Sequence, residues 1–289
     1  MSNNDIAQMV YEKVGALLES GKTLKWDNGR ATPFYPMNAS TDTVYHGSNF
    51  FLLGLFSAVN GYETPRFMTF NQAKKHGGVI RKGEKGFPVV FWKQKIFEEI
   101  VNGELKKKVI PFLRYFTVFN LDQIDKISDE FYKRQESFAE ELEDPETMAR
   151  DYLNREKIEL HPCTGSPYYS PGEDKIGLPT LVNFTTSIRR YESLFHEIVH
   201  STGHKSRLNR TLDTNRGDNY SKEELIAEYG AAMLLGMTGC DTGYENLAAY
   251  IKSWWKRIGE NPMDLISAAG KAAKAVEFVE HGHIEEKVA

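Results

Sequence analysis

Apolar residues recur at helical spacing in three stretches near the start of the chain. Residues 5–19 predict an amphipathic helix, and residues 47–61 predict a helix that is buried on most sides because its apolar positions are nearly continuous. A shorter helix is predicted over 69–78, where Thr69 could cap the start and Gly77 could end the last turn.

The segment that follows changes from helical to strand-like patterning. Residues 89–92 and 109–119 are apolar runs rich in β-branched and aromatic side chains, and Asn102-Gly103 lies between them. This pattern predicts two strands joined by a turn. With the preceding helices, it predicts a small α+β domain over residues 1–126.

The rest of the chain predicts a second domain of the same α+β class. Residues 127–150 are acid-rich, which favours a helical connector, so the second domain is placed at 151–289. A short hairpin with its turn at Pro171-Gly172 should precede four helices. The four helices are predicted over 186–202, 220–239, 247–261 and 263–282. Ser221 is the expected cap of the helix over 220–239, and Glu224 would complete a capping box with it.

Composition narrows the class of protein. Of the 289 residues, 40% are hydrophobic and 26% are charged, as in ordinary globular proteins. Cys163 and Cys240 are too few for a disulfide framework or an all-cysteine zinc site. No stretch is apolar enough to cross a bilayer, and the N-terminus lacks the pattern of a signal peptide. We therefore expect a cytoplasmic protein.

The charge is distributed unevenly, although the net charge is only −4. Residues 64–95 contain eight lysines and arginines and a single acid, Glu84, whereas acids outnumber bases in the second half of the chain. A basic segment of this kind is the strongest indication in the sequence of a polyanionic partner.

One short motif indicates metal chemistry. In the sequence FHEIVHSTGH (195–204), His196 and His200 are four residues apart on a predicted helix, so both imidazoles can face one ion. Zinc accepts such ligands, and Glu197 lies where the general base of a metallopeptidase is expected. The alternative is a helix that carries packed histidines by chance.

The next predicted helix offers a third ligand. Glu224 and Glu228 are again four residues apart, and a buried carboxylate needs a partner. We predict Glu224 as the ligand and Glu228 as the acceptor for a ligating imidazole's free N–H. In the alternative, Glu224 only completes the capping box and the other charges lie on a solvated face of the helix. Glu223 and Lys222 fit such a solvated face well.

His204 is a further candidate, with three roles left open. It could stabilise an oxyanion, approach the metal, or lie on the surface, and Tyr220 and Tyr229 could assist in the same way. A metzincin is excluded because Ser206 stands where that signature requires a histidine. Residues 174–180 are expected to form an edge strand that lines a cleft, where an extended peptide could pair.

Six segments, in one order over most of the chain, carry a family resemblance: 45–55, 61–93 and 113–124 in the first half, and 168–179, 196–210 and 220–234 in the second. They resemble the ArdC-type antirestriction proteins of conjugative plasmids and related mobile elements. The resemblance implies an N-terminal single-stranded-DNA-binding domain, a zincin-like metallopeptidase domain, and protection of incoming single-stranded DNA from host restriction. It also assigns the metal helix to His196, Glu197 and His200, and the acidic position to Glu224.

The basic segment supplies candidates for DNA contact. Single strands are held by cations along the phosphates and by aromatic faces on which bases stack. We expect Phe91 to be a core residue because its apolar run is continuous, and Asn49 and Thr69 are weaker candidates for contact. The predicted DNA-binding residues are Arg66, Lys74, Arg81, Lys82, Lys85 and Trp92.

These observations predict a non-specific single-stranded-DNA binder joined to a peptidase centre with one Zn²⁺ ion. The expected chemistry is metal-assisted hydrolysis of a peptide or protein substrate, with Glu197 as general base. In the alternative, the protein binds and protects DNA without catalysis and its metal is structural, with His204 as a fourth ligand. Hydrolysis of nucleic acid is disfavoured because such sites usually contain clustered carboxylates and two metals.

Overall fold

The computed structural model describes most of the chain. Four predictions lie wholly or partly outside the described residues: the turn at Asn102-Gly103, residues 133–143 of the helical connector, most of the helix over 247–261, and the side chain of Tyr220. The described residues are 1–20, 36–101, 104–132, 144–212, 218–238, 252, 255 and 258–283.

Among its described residues, the N-terminal half forms three α-helices and a five-stranded sheet. Its elements are α1 (Asn3–Glu19), β1 (Met37–Asn38), β2 (Thr43–Val44), α2 (Ser48–Asn60), β3 (Arg66–Thr69), α3 (Phe70–Lys75), β4 (Val79–Ile80), β5 (Phe87–Val101), β6 (Glu104–Asn120) and β7 (Ile124–Asp125). The strand order is β2-β1-β3-β6-β5, with β1 parallel to β3 and the other pairs antiparallel. β4 and β7 form a separate antiparallel pair.

Local sequence explains where these helices begin and end. Thr69 accepts the backbone N–H of Gln72, and the Gln72 side chain in turn accepts the Thr69 N–H, so the predicted cap of α3 is confirmed. Gly61 adopts a left-handed conformation (φ 67°) and ends α2 at the predicted residue.

β5 and β6 continue beyond the rest of the sheet as a two-stranded ribbon. β3 pairs with β6 only near the end of β6, whereas β5 pairs with β6 along its whole length. The prediction that Phe91 is a core residue is wrong, because its side chain is 36% exposed on the ribbon. An apolar run indicates a strand, but it does not reveal that the strand leaves the sheet.

The described residues of the C-terminal half form a three-stranded sheet and at least four helices, and residues 258–260 are also helical. Its elements are α4 (Pro145–Glu156), β8 (Glu159–Pro162), β9 (Tyr168–Ser170), β10 (Lys175–Leu178), α5 (Ser187–Thr202), α6 (Asp218–Met237) and α7 (Met263–His281). No described helix combines the length and apolarity that a membrane span requires.

The small sheet corrects the expected edge strand. β10 pairs antiparallel with β9, which confirms the predicted hairpin, but it also pairs in parallel with β8. β10 is therefore central, and β9 is an edge strand. The prediction for residues 174–180 was wrong because β8 alternates in polarity too weakly to be recognised as a strand.

The helices of both halves share one core. Buried residues of α1 and α2 belong to the same cluster as those of α5, α6 and α7, and the rings of Phe51 and Tyr229 lie 4.3 Å apart. α4 begins inside the predicted connector and buries Met148 and Tyr152 in this core. α6 begins at Asp218, so the prediction of Ser221 as its cap is wrong.

Candidate metal centre

α5 brings the two histidines of the motif onto one face. Their Nε2 atoms lie 3.1 Å apart, as expected for residues four apart in a helix. The opposite face of the helix carries Leu194, Phe195 and Ile198 into the core. Burial of that apolar face turns His196 and His200 toward α6.

α6 supplies the carboxylate that was predicted as the third ligand. Glu224 places one oxygen 3.4 Å from His196 Nε2 and the other 3.3 Å from His200 Nε2. The potential ligand atoms of the three residues all lie within 4.8 Å of one another. Two imidazole nitrogens and one carboxylate oxygen are a donor set that zinc accepts, so the residues present fit a divalent cation.

Each imidazole also faces a second carboxylate with its outer nitrogen. Glu228 lies 3.4 Å from His196 Nδ1, and Glu223 lies 3.4 Å from His200 Nδ1. Protonation of each Nδ1 leaves the Nε2 lone pairs directed at the same point near Glu224. Glu228 therefore lies within reach of the free nitrogen of His196. Glu223 fitted a solvated helix charge in the sequence, but its side chain is buried, with 5% exposed.

Arg210 holds Glu223 in place. Its guanidinium donates to both Glu223 oxygens, at 3.1 and 2.7 Å, and also to the carbonyl of Val199 and the hydroxyl of Thr202. The buried carboxylate therefore has a bidentate partner. No spacing rule indicated Arg210, because it lies in irregular chain after α5.

The centre is strongly polarised. Burial alone would lower the pKa of His196, but Glu224 and Glu228 outweigh burial and raise that pKa to about 10. Burial alone would raise the pKa of Glu224, but hydrogen bonds from His196 and His200 lower it to about 2. Such a cluster attracts positive charge, and a divalent cation competes with protons for the same atoms.

Glu197 lies beside these ligands with a different environment. Its side chain is buried, which raises the pKa of its carboxyl, and it accepts a hydrogen bond from the backbone N–H of Tyr169 on β9. A carboxyl group with a raised pKa is suited to proton transfer near neutral pH. The contact fixes this group against the edge strand.

These groups open into a cavity of about 820 Å³. Edge-strand residues Tyr168 and Tyr169 form one wall, and apolar residues of α6, including Ala231 and Leu235, form part of another. The ligands and Glu197 line the same space. The centre is therefore accessible to a molecule much larger than water.

The structure places His204 outside this cavity. Its Nδ1 is 2.7 Å from the hydroxyl of Ser206 and 4.0 Å from a carboxylate oxygen of Asp174, and it is not among the residues that line the cavity in the described part of the chain. The geometry gives it no contact with the ligands. Tyr229 is fully buried against Phe51 in the core.

Four of the predicted DNA-binding cations, Lys74, Arg81, Lys82 and Lys85, are exposed. Arg81 pairs with Glu84 at 3.0 Å.

Arg66, in contrast, is buried and donates to Asp42 at 2.8 Å, so the geometry gives it a structural role. Asn49 is also buried and bonds to the backbone of Val90, while Thr69 serves as the cap of α3. Trp92 is 53% exposed on the ribbon.

Comparisons with known proteins agree with this architecture. The model for the N-terminal domain of anti-restriction factor ArdC matches residues 4–119, and the model for a zincin-like metallopeptidase matches residues 147–271. The crystal structure of the antirestriction ArdC protein from plasmid R388, solved without metal, shares 32% identity and a TM-score of 0.70, covering 96% of this chain and 97% of that one. The chain belongs to the ArdC antirestriction family.

Other relatives extend the ArdC comparison. A Mn(II)-bound structure of the R388 protein shares 32% identity and a TM-score of 0.71, covering 96% of this chain and 98% of that one. A DNA primase TraC from Escherichia coli is 34% identical over 273 residues, which is 88% of this chain but 25% of the primase. A second TraC from that organism is 32% identical over 94% of this chain and 20% of its own length. This ArdC-family chain thus spans a quarter or less of the primases.

Proposed function

We propose that this ArdC-family protein protects single-stranded DNA by binding it without sequence preference, and that its zincin-like domain is a zinc-dependent peptidase. The observation that carries the peptidase assignment is the position of Glu197. This buried carboxyl lies beside a three-donor cluster, is held to an edge strand, and opens into a large cavity. Antirestriction would take place in the cytoplasm, where incoming DNA meets restriction enzymes.

His196, His200 and Glu224 would hold one ion. A bound zinc ion would supply Lewis acidity toward a carbonyl oxygen and lower the pKa of a water molecule. The Mn(II)-bound structure of the R388 relative supports a divalent cation at this centre and makes the identity of the metal a direct question for analysis of purified protein.

The chain's own groups would perform the proton transfers and the alignment. Glu197, with its raised pKa, would accept a proton from the attacking water and deliver it to the leaving amine. The free edge of β9 would align an extended peptide by strand addition. Glu223 and Arg210 would keep the imidazole of His200 oriented throughout.

The alternative of a purely structural metal requires a closed site. Structural zinc sites normally have four protein ligands, and His204 was the candidate for the fourth. Its separation from the cavity lining favours an open coordination position instead.

Glu197→Gln tests the peptidase assignment. The variant should retain stoichiometric zinc by mass spectrometry, because Glu197 is not in the donor cluster, and it should lose cleavage of an unstructured protein such as casein by roughly 100-fold or more. Glu277→Gln, exposed on α7 and not among the residues that line the cavity, is the matched control and should cleave as the wild type does. Equal cleavage by Glu197→Gln and wild type would exclude this mechanism.

DNA binding is supported by the exposed cations Lys74, Arg81, Lys82 and Lys85. Contacts to phosphates release counterions, so affinity for a labelled single strand should fall steeply as salt concentration rises. The double variant Lys82→Glu with Lys85→Glu should weaken binding for every sequence tested. A variant that binds as tightly as wild type at all salt concentrations would remove these residues from the interface.

A further inference from the structure

We propose that one face of the β5–β6 ribbon is the surface on which bases of single-stranded DNA stack. The inference rests on the proposed DNA-binding function and specifies where the strand lies. The face is defined by alternate residues of both strands, and its members are Phe91, Lys93, Lys95 and Phe97 on β5, and Lys108, Ile110, Phe112, Arg114 and Phe116 on β6.

The strand register places these side chains on one side of the ribbon. Phe91 lies opposite Arg114, and Lys95 lies opposite Ile110. Successive side chains of a strand point to opposite faces, so every second residue along each strand joins the same face. A ring contact between Phe91 and Phe116, with centroids 5.7 Å apart, agrees with this placement.

The rings of this ribbon face are open to solvent. Phe91 is 36% exposed, Phe97 40% and Phe116 48%, although aromatic residues of this size usually bury most of their surface. Lys95 lies over the ring of Phe97 at 4.8 Å. Exposed rings bordered by cations are the combination that holds single strands, because bases stack on the rings while cations contact phosphates.

The charged residues that define this ribbon face are all cations. Lys93, Lys95, Lys108 and Arg114 are exposed, and the same alternation places the acids Glu99 and Glu104 farther along the ribbon, beyond Phe97 and Lys108. None of the four is paired with a carboxylate of a described residue. From Phe91 to Phe97 the face extends about 20 Å, enough for several stacked bases. The partner that fits it is therefore a flexible polyanion with flat rings.

The opposite face of the ribbon lacks this chemistry. Trp92, Gln94 and Ile96 alternate with the residues above, and their partners on β6 are Leu113, Pro111 and Val109. All six are uncharged. The ribbon thus separates its cationic side from an uncharged side, and Ile96, which is 58% exposed, is a probe of that opposite side.

Matched variants test the proposal by fluorescence anisotropy on a labelled single-stranded oligonucleotide. Phe91→Ala should weaken binding by roughly 5-fold or more, because one stacking ring is removed. Ile96→Ala is the control and should stay within about twofold of wild type, because Ile96 is exposed on the opposite face and has no ring on which a base can stack. Arg114→Gln should reduce the slope of log affinity against log salt by about 1. Melting temperatures confirm that each variant is folded.

The outcomes separate this inference from the function on which it rests. The ribbon assignment is overturned if wild type binds the strand while Phe91→Ala and Arg114→Gln bind equally well, or if Ile96→Ala weakens binding as much as Phe91→Ala. If wild type binds no single-stranded DNA at all, the proposed function itself is wrong.

Discussion

Gly230 lies where α6 packs directly against Val199 of α5, and the same two helices carry the residues of the candidate metal centre. A Cβ atom at this position would lie 2.6 and 2.9 Å from the two methyl carbons of Val199, and 3.3 Å from its Cβ. Val199 precedes His200 and has a β-branched side chain that is stiff in a helix. Gly230→Ala must therefore separate the two helices.

The size of the effect follows from two opposing terms. Overpacking a core typically costs about 1–3 kcal/mol, whereas replacing glycine by alanine inside a helix stabilises by roughly 0.5–1 kcal/mol. We expect a net loss of about 0.5–2 kcal/mol in the free energy of unfolding. Because His200 and Glu224 lie on different helices, only 3.3 Å apart, the variant should also bind zinc more weakly.

Chemical denaturation and zinc titration measure these two effects. Gly270→Ala on α7 is the control, because a Cβ atom there would contact nothing within 4 Å, and it should be as stable as wild type or more so. Adding Val199→Ala to Gly230→Ala should restore part of the loss, since it removes both offending methyl groups. If Gly230→Ala behaves like Gly270→Ala, the close packing of α5 on α6 has been misread.

Three further predictions concern buried charge. Arg210→Ala should reduce zinc affinity by roughly 10- to 100-fold in a metal titration. The reason is that Glu223 loses its bidentate partner and no longer orients His200. Unchanged zinc affinity would contradict this prediction. Burial alone would raise the pKa of Asp174, but its hydrogen-bond partners lower that pKa below 3.8, so its stabilisation is present above that value and is lost as the pH falls. Asp174→Asn should thus have a lower free energy of unfolding than wild type at neutral pH, and the difference should disappear at acidic pH, as measured by urea denaturation. A difference that persists at acidic pH would refute the assignment. Arg66→Ala should lower the melting temperature without changing the salt dependence of DNA binding, whereas a changed salt slope would return this residue to the interface.

The proximity of the candidate metal ligands could be predicted because helix spacing carries three-dimensional information over a few residues. His196 and His200 lie on one face by the geometry of the helix, and Glu224 and Glu228 do so on the next. The end of α2 at Gly61 could also be predicted locally, because glycine readily adopts the left-handed conformation that ends a helix. Prediction succeeded where a side chain's neighbours lie within one or two turns of the same element.

Prediction failed where the partner is distant in sequence. Arg66 has the positive charge expected of a DNA contact, but it forms an ion pair with Asp42, which lies on a separate segment. Glu223 looked solvated because its partner Arg210 lies in irregular chain. Phe91 looked buried because periodicity describes the strand and not the sheet around it. Each error concerns a tertiary contact that no local pattern encodes.

The position of α6 connects the two halves of the molecule. One part of this helix carries Glu224 and Glu228 to the metal centre, and the next residue, Tyr229, packs its ring on Phe51 of α2. α2 in turn lies against the sheet from which the ribbon extends, with Phe56 stacked on Phe87. Because the ligand helix takes part of its core from the N-terminal half, we infer that removing that half would expose large apolar surface on α6. The chain therefore matches two different domain models on either side of the segment before α4, but the buried residues of both halves belong to one hydrophobic core.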